Sequence, residues 1–148
     1  MTPHRVAGYS KAGDDTLLRA AFRDVSENLP AGGWLSTSED FVRFAMAFAS
    51  DKLVKHATRE QMVMRPKLLD GTPAPNPFGN PKYYYGIGIM VGPVDGRPAW
   101  FHTGGQSGAS ALLYWFPDSE VGVALMTNRD GSAIREPLAR KIEEIASR

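Results

Sequence analysis

From Lys82 onward the hydrophobic pattern of the chain has a two-residue period, and this feature constrains the fold most. Within residues 84–91, aliphatic and aromatic side chains at 85, 87, 89 and 91 alternate with a second set that includes two glycines, which places every second side chain on one face of a strand. Similar short apolar segments follow at residues 98–103, 109–116 and 121–128. Because only a few residues separate these segments, we predict an antiparallel meander of about four strands.

Turn residues and a final helix complete this half of the chain. Asp95-Gly96 is a typical hairpin turn, and Pro117 stands where a type I turn favours proline. Residues 109–116 are apolar on both faces, so we expect them to form a central strand. A C-terminal helix is expected to pack across one sheet face through an apolar stripe. Its members are Ile134, Leu138, Ile142 and Ile145.

Residues 1–66 are predicted to be mainly helical. Ser36 and Glu39 have capping-box spacing at the start of a helix near Ser38–Ser50. A second pair with this spacing precedes a short helix that Pro66 ends, because the residue before a proline disfavours helix. A turn of helix is also possible within Leu17–Phe22. The stripe of the first helix is Phe41, Phe44, Ala45 and Phe48, and the second capping pair is Thr58 and Gln61.

Residues 67–82 join the two parts. They contain four prolines, which lack the backbone donors that regular structure needs, so we predict a long surface loop. Such a loop either lines a cleft or is a plain connection. The 148 residues suit one compact domain, so we predict a single α+β domain over residues 1–148.

Composition excludes several classes of function. A net charge of +1 is too balanced to attract nucleic acid by its field alone. The longest uncharged apolar run is much shorter than the roughly 20 residues of a membrane helix, so no membrane span is expected. With no cysteine and only His4, His56 and His102, widely spaced, we expect no metal site and no cofactor. The N-terminal residues lack the apolar core of a signal peptide. Because the chain has no cysteine, its composition does not indicate a redox compartment, and no localisation is assigned.

The segment His102–Gly108 carries the chemistry of greatest interest. It places a titratable ring, two hydroxyl groups and three glycines at the end of a predicted strand. Glycine permits close approach to the backbone, whose N–H groups can bind an oxyanion. A plain glycine-rich turn with a half-buried His102 explains the same residues. Ser107 is a poor candidate nucleophile, because Ala109 replaces the last glycine of the Gly-x-Ser-x-Gly elbow.

The order of these motifs resembles the carboxyl-terminal half of the serine β-lactamase superfamily, which includes DD-peptidases, class C β-lactamases and related esterases. The resemblance extends over about Ala7 to Ala146 and implies a partial β-lactamase/transpeptidase-like fold. His102-Thr103-Gly104-Gly105 is similar to the family's Lys-Thr-Gly motif in its histidine form. The other matching segments are Gly32–Asp40, Tyr84–Ile89, Pro117-Asp118 and Thr127-Asn128.

The resemblance also implies roles for individual residues. His102 takes the place of the family's lysine, and Gly105 offers its N–H to the oxyanion. Histidine is only partly charged near neutral pH, so neutral esters become better substrates than anionic β-lactams. Thr103 is implied to hydrogen-bond the substrate. Gly104, Ser107 and Tyr85 are further candidate substrate contacts, Tyr85 by stacking on an acyl group. For Tyr85, packing of an aromatic strand against a helix is the alternative explanation.

The nucleophile of the family is not found in the sequence. It lies in Ser-x-x-Lys, and no serine here is followed by lysine three positions later. We therefore predict a portion of a serine hydrolase for small esters, amides or β-lactams that is inactive alone. Its partner is a missing N-terminal half or another copy of the chain, and we expect a homo-oligomer. The alternative is a non-catalytic remnant or binding module that retains the fold.

Overall fold

The structure is a computed structural model that describes residues 5–13, 16–24, 26–131 and 135–147. Its described strands are β1 (Tyr9–Ala12), β2 (Thr16–Arg19), β3 (Tyr84–Tyr85), β4 (Met90–Val94), β5 (Arg97–Gln106), β6 (Ala109–Phe116) and β7 (Val121–Thr127). Its described helices are α1 (Leu29–Gly32), α2 (Ser38–Ala49), α3 (His56–Val63) and α4 (Arg135–Ala146), with a 3-10 turn at Ser26–Asn28.

The strands β3 to β7 form one antiparallel sheet in sequential order, which confirms the predicted α+β meander. The sheet has five strands, however, because residues 84–91 do not form a single strand. β3 and β4 are antiparallel neighbours, with Tyr84 opposite Val91. The connection between them contains Gly88, whose φ of 74° suits glycine. The alternating pattern therefore runs through a turn, and the predicted number of strands was too small.

Packing against α3 explains why the chain turns after Tyr85. A Cβ atom at Gly86 would lie 2.0 Å from the carbonyl oxygen of Met62, so a side chain is excluded here. The next residue, Ile87, donates its backbone N–H to the same oxygen over 2.9 Å, and its side chain is mostly exposed. The Tyr-Gly-Ile-Gly segment is therefore a tight connection held on α3.

The central position of β6 is confirmed. β5 and β7 flank it, and its consecutive residues Leu112, Leu113 and Tyr114 are all buried. Because successive strand residues point to opposite faces, burial of all three requires that both sheet faces be covered.

A helix packs on each face of the sheet. Val123 of β7 belongs to the same buried cluster as Ala139 of α4. The preceding residue, Gly122, lies on the opposite face of the sheet, where an added Cβ would be 2.9 Å from Cγ2 of Val42 in α2. The sheet thus lies between α4 and α2.

The contact that α4 makes with the sheet differs from the expectation. Ala139 and Glu143 are its buried residues, and Glu143 pairs with Arg97 of β5. The predicted apolar stripe was wrong as a contact surface. Its described members are substantially exposed: Leu138 at 43%, Ile142 at 37% and Ile145 at 61%. Ile134 lies outside the described residues.

The helix α2 confirms the predicted helix near residues 38–50, but its cap differs. The Oγ1 atom of Thr37, rather than of Ser36, accepts the N–H of Asp40 over 3.1 Å. The Glu39 side chain pairs with Arg43 one turn later instead of returning to the cap. The stripe is also only partly buried: Ala45 and Phe48 are buried, whereas Phe44 is 53% exposed.

The helix α3 begins at His56, two residues before the expected Thr58, with no side-chain cap. Its Arg59 is buried, lies over the Trp100 ring of β5 at 5.3 Å, and donates from Nε to Asp51 over 2.6 Å. This ion pair lowers the pKa of Asp51 and fixes the connection between α2 and α3 to the sheet.

Most of the regular structure in residues 1–66 is helical, as predicted, but the described part begins with a hairpin. β1 and β2 form a hairpin in which Tyr9 pairs with Arg19, and this hairpin replaces the helical turn expected at residues 17–22. It packs where β5 and β6 are joined, because a Cβ at Gly108 would lie 2.6 Å from Cβ of Ala20. Pairing with another strand, rather than local propensity, decides the conformation of so short a segment.

Candidate functional site

His102 lies where β5 extends beyond its neighbour β4. The strand β4 pairs with residues 97–101 of β5, whereas β6 pairs with residues 100–106. In the described part of the chain, residues 102–106 therefore have a strand partner on one side only. Antiparallel strands direct alternate N–H groups to each side, so this stretch presents backbone donors along an open edge.

Tyr85 contacts the ring of His102. The register aligns Tyr85 with Met90 of β4, and Met90 with Phe101, the residue before His102. The phenol oxygen of Tyr85 lies 3.0 Å from Nε2 of His102, a hydrogen-bond distance. Two residues that sequence analysis placed at the site are thus in direct contact.

The loop before β3 reaches the same place. Phe78, from the proline-rich segment, packs edge-on against Tyr85 with ring centroids 5.4 Å apart. Phe78 itself is 68% exposed, so its outer side faces solvent. This contact places part of the loop formed by residues 67–82 beside Tyr85 and His102.

The two glycines after Thr103 have open space beside them. A Cβ atom at Gly104 or Gly105 would have no neighbour within 4 Å, apart from adjacent residues, in the described structure. Neither residue needs glycine for a strained φ, since neither is among the positive-φ positions. The space next to the strand is therefore available to a ligand or to another segment.

Strand alternation separates the site residues between two faces. Trp100 packs against Phe48 of α2, whereas Phe101 belongs to the cluster that contains Ala139 of α4. By the same alternation, His102 and Gly104 lie on the α2 face, and Thr103 and Gly105 on the α4 face. The backbone of residues 103–105, along the open edge, is what these positions can present together.

The serine hydroxyls near β5 are engaged elsewhere. Ser107 donates to the carbonyl oxygen of Ala21 over 3.3 Å, and Ser110 donates to that of Arg129 over 2.8 Å. Neither hydroxyl contacts His102, and Ser107 instead joins the turn after β5 to the segment that follows β2.

Asp130 holds the N-terminal hairpin next to the site. Its carboxylate accepts the Ser10 hydroxyl over 2.5 Å and the Gly108 N–H over 3.4 Å. The hydrogen bond from Ser10 lowers the pKa of Asp130, and that from Gly108 acts in the same direction.

Tyr84, the neighbour of Tyr85 in β3, is bound to α3. Its hydroxyl donates to the carbonyl oxygen of Val63 over 2.8 Å, and burial raises the pKa of this phenol.

Two surface hollows lie away from His102. One, of about 470 Å³, lies between Arg97 and α4, and the other, of about 490 Å³, lies between α2 and Trp115. Within the described ranges, no group of three His, Asp or Glu side chains is placed to hold a metal ion. No helix in those ranges is long and apolar enough to cross a membrane.

Sequence analysis overlooked Ser26-Glu27-Asn28, whose spacing matches the Ser-x-Asn motif of the superfamily. These residues form the 3-10 turn before α1, and the Ser26 N–H donates to Asp24 over 2.9 Å. Among the side chains that the structure describes, neither Ser26 nor Asn28 contacts His102.

A family model and several solved structures relate this chain to known proteins. The model of the family described as Beta-lactamase matches residues 2–147. No match was found among curated protein sequences.

Three solved structures share the fold. A D-stereospecific amidohydrolase from Streptomyces sp. is 24% identical, with a TM-score of 0.72 over 94% of this chain and 40% of its own. A penicillin binding protein from Bacillus halodurans is 16% identical, with a TM-score of 0.66 over 97% and 41%. A D-amino acid amidase from Ochrobactrum anthropi SV3 is 18% identical, with a TM-score of 0.54 over 74% and 36%. The chain thus spans about two fifths of the length of these proteins.

Proposed function

The chain belongs to the beta-lactamase family, and we propose that it forms one wall of a serine-hydrolase site that cleaves small esters, amides or β-lactams through an acyl-enzyme. One observation carries the proposal: Tyr85 holds His102 where β5 extends beyond β4, next to Gly104 and Gly105, at which an added Cβ would meet no described atom within 4 Å. A substrate carbonyl and an attacking group both require such space.

In the proposed reaction, a serine from outside these 148 residues attacks the substrate carbonyl. The backbone N–H of Gly105 stabilises the resulting oxyanion, and His102 binds a polar group of the substrate. The leaving group then departs, and water releases the acyl group from the serine. Ser107 and Ser110 are not proposed as nucleophiles, since their hydroxyls donate to backbone carbonyls.

Esters and amides are proposed as better substrates than anionic β-lactams. A histidine at the position of the family's lysine carries only part of a positive charge near neutral pH, so it attracts a carboxylate less strongly. Two proteins that share the fold, an amidohydrolase and an amidase, agree with an amide substrate class.

The test requires the rest of the active site. The DNA upstream of the Met1 codon is sequenced, and the proposal expects a Ser-x-x-Lys segment to be encoded there. That segment is produced together with this chain, and hydrolysis of p-nitrophenyl acetate and of D-phenylalanine amide is measured. Absence of hydrolysis by the assembled protein would favour the alternative, a binding module that retains the fold.

Gly105 provides the sharpest variant in that assay. Gly105→Pro removes the N–H, and loss of one oxyanion donor lowers kcat by about 100- to 1000-fold. Gly105→Ala is the matched control, because it keeps the N–H and its Cβ meets no atom within 4 Å. A Gly105→Pro variant with the activity of the wild type would refute the role of Gly105.

We further propose that a second copy of the chain covers the free edge of β7. β7 ends the sheet, and residues 121–127 contain neither a charge nor a proline to block pairing. At about 100° per residue, Ile142 lies on the flank of α4 and Ile145 on its far side relative to Glu143, which pairs with β5. In a solution of the purified chain, another copy is the available partner for both features.

A further inference from the structure

We propose that Tyr85 is a positioning residue that makes His102 a permanent N–H donor at Nδ1. The inference refines the proposed function, on which it rests, by naming the atom of His102 that meets the substrate. It also replaces the expected stacking of Tyr85 on the substrate with a contact inside the protein.

The direction of the hydrogen bond follows from the partners available. The phenol oxygen of Tyr85 and Nε2 of His102 are 3.0 Å apart, and only one of them can donate in the neutral pair. A phenol O–H is a stronger donor than a neutral imidazole N–H, and an unprotonated imidazole nitrogen is a stronger acceptor than a phenol oxygen, so the phenol is the donor. Because Nε2 accepts the phenol O–H, it carries no proton of its own, and the proton of the neutral ring lies on Nδ1.

Nδ1 is then free to contact a ligand. It has no hydrogen-bond partner in the described part of the chain, and His102 is only partly buried. The cationic ring also carries a proton at Nδ1, so this atom donates whether the ring is neutral or charged. A histidine fixed in this way supplies a donor at the lysine position without a full positive charge.

Phe78 restricts the phenol that makes this hydrogen bond. Phe78 packs edge-to-face against Tyr85, with ring centroids 5.4 Å apart, and so restricts the Tyr85 ring. The His102 ring also packs edge-to-face against Tyr85, with its centroid 6.0 Å from that of Tyr85. The proline-rich loop thus influences the orientation of His102 without touching it.

The experiment reads the tautomer of His102 directly by long-range ¹H–¹⁵N NMR on the full chain. The chain has three histidines, so His102→Gln and His56→Gln assign the signals. At a pH where the ring is neutral, the wild type is expected to show the proton on Nδ1. In Tyr85→Phe, the signal is expected to move to a mixture in which the Nε2–H form is the larger fraction, as in a free imidazole.

Two further variants make the result specific. Tyr84→Phe removes a neighbouring phenol that bonds to Val63, and it should leave the His102 signal unchanged. Phe78→Ala retains the Tyr85 hydroxyl but removes its support, so an intermediate shift is expected. Backbone amide spectra verify that each variant is folded.

A wild-type ring with its proton on Nε2, or a Tyr85→Phe spectrum identical to the wild type, would overturn the assignment. Because the tautomer is read without a nucleophile or turnover, such a result leaves the hydrolase proposal to its own assay. Conversely, an inactive assembled protein with the expected tautomer would refute the hydrolase proposal and leave the positioning role standing.

Discussion

Replacing Ile142 and Ile145 by glutamine tests whether the apolar side of α4 contacts a second copy of the chain. The two side chains are 37% and 61% exposed, so covering them buries roughly one further isoleucine side chain per copy. Such burial contributes about 1.5–3 kcal/mol, and a two-fold symmetric contact contains it twice. The double variant is therefore expected to lose about 3–6 kcal/mol of association free energy, or about 100- to 10,000-fold in Kd.

The assay separates association from folding. Sedimentation velocity and light scattering over a dilution series give the mass, while thermal unfolding gives Tm. Tm of the dissociated chain should change little, because glutamine favours helix and both isoleucines are already partly in water. Arg140→Gln is the control: at about 100° per residue, Arg140 lies on the opposite side of α4 from Ile142 and Ile145, and its ion pair with Asp95 is exposed.

Two outcomes would refute the reasoning. One is a double variant that associates as strongly as the wild type, which would place the contact elsewhere. The other is a wild type that stays monomeric at every concentration, which would show that β7 and α4 need no second copy.

The remaining predictions concern stability. Ionised Asp130 has a pKa below its ordinary value of 3.8 because Ser10 donates to it, so it stabilises the fold above that pH and loses this effect as the pH falls. Asp130→Asn should therefore lower Tm near neutral pH, and the difference from the wild type should disappear in acid; a constant difference would contradict this origin. Gly86→Ala should cost about 1–3 kcal/mol in urea unfolding, because the new Cβ meets the Met62 carbonyl. Gly105→Ala, with open space at its Cβ, should change stability by less than about 0.5 kcal/mol, and equal costs at the two glycines would contradict the packing argument.

Much of the sheet could be predicted from the sequence because its signals are local. The bounds of β6 agree with the apolar run 109–116, and Asp95-Gly96 forms a turn in which both residues have positive φ. The meander follows from such turns, since short connections leave antiparallel pairing as the available arrangement.

The errors arise where distant contacts decide the local structure. Gly86 packs on α3, and this contact divides the alternating run at 84–91 into β3 and β4. Arg97 draws Glu143 toward the sheet, which leaves Ile142 and Ile145 at the side of α4. Neither contact has a signal in the sequence near the residues that it moves.

The candidate site was predicted in part. His102 and Tyr85 were both named from motifs, but their hydrogen bond depends on the register across β4, which no motif specifies. The roles of Thr103, Gly104, Gly105 and Ser107 as substrate contacts stay predictions. For Ser107, the bond to Ala21 depends on the N-terminal hairpin, which sequence analysis did not predict.

The central claim is that the attacking group of the site comes from outside these residues. Its most direct test is intact-mass spectrometry of the purified chain after incubation with p-nitrophenyl acetate and with a chromogenic cephalosporin. We predict that the mass stays unchanged and that neither reagent is turned over. A stable acyl group on any serine of the chain, with Ser107 the first to examine, would contradict the claim.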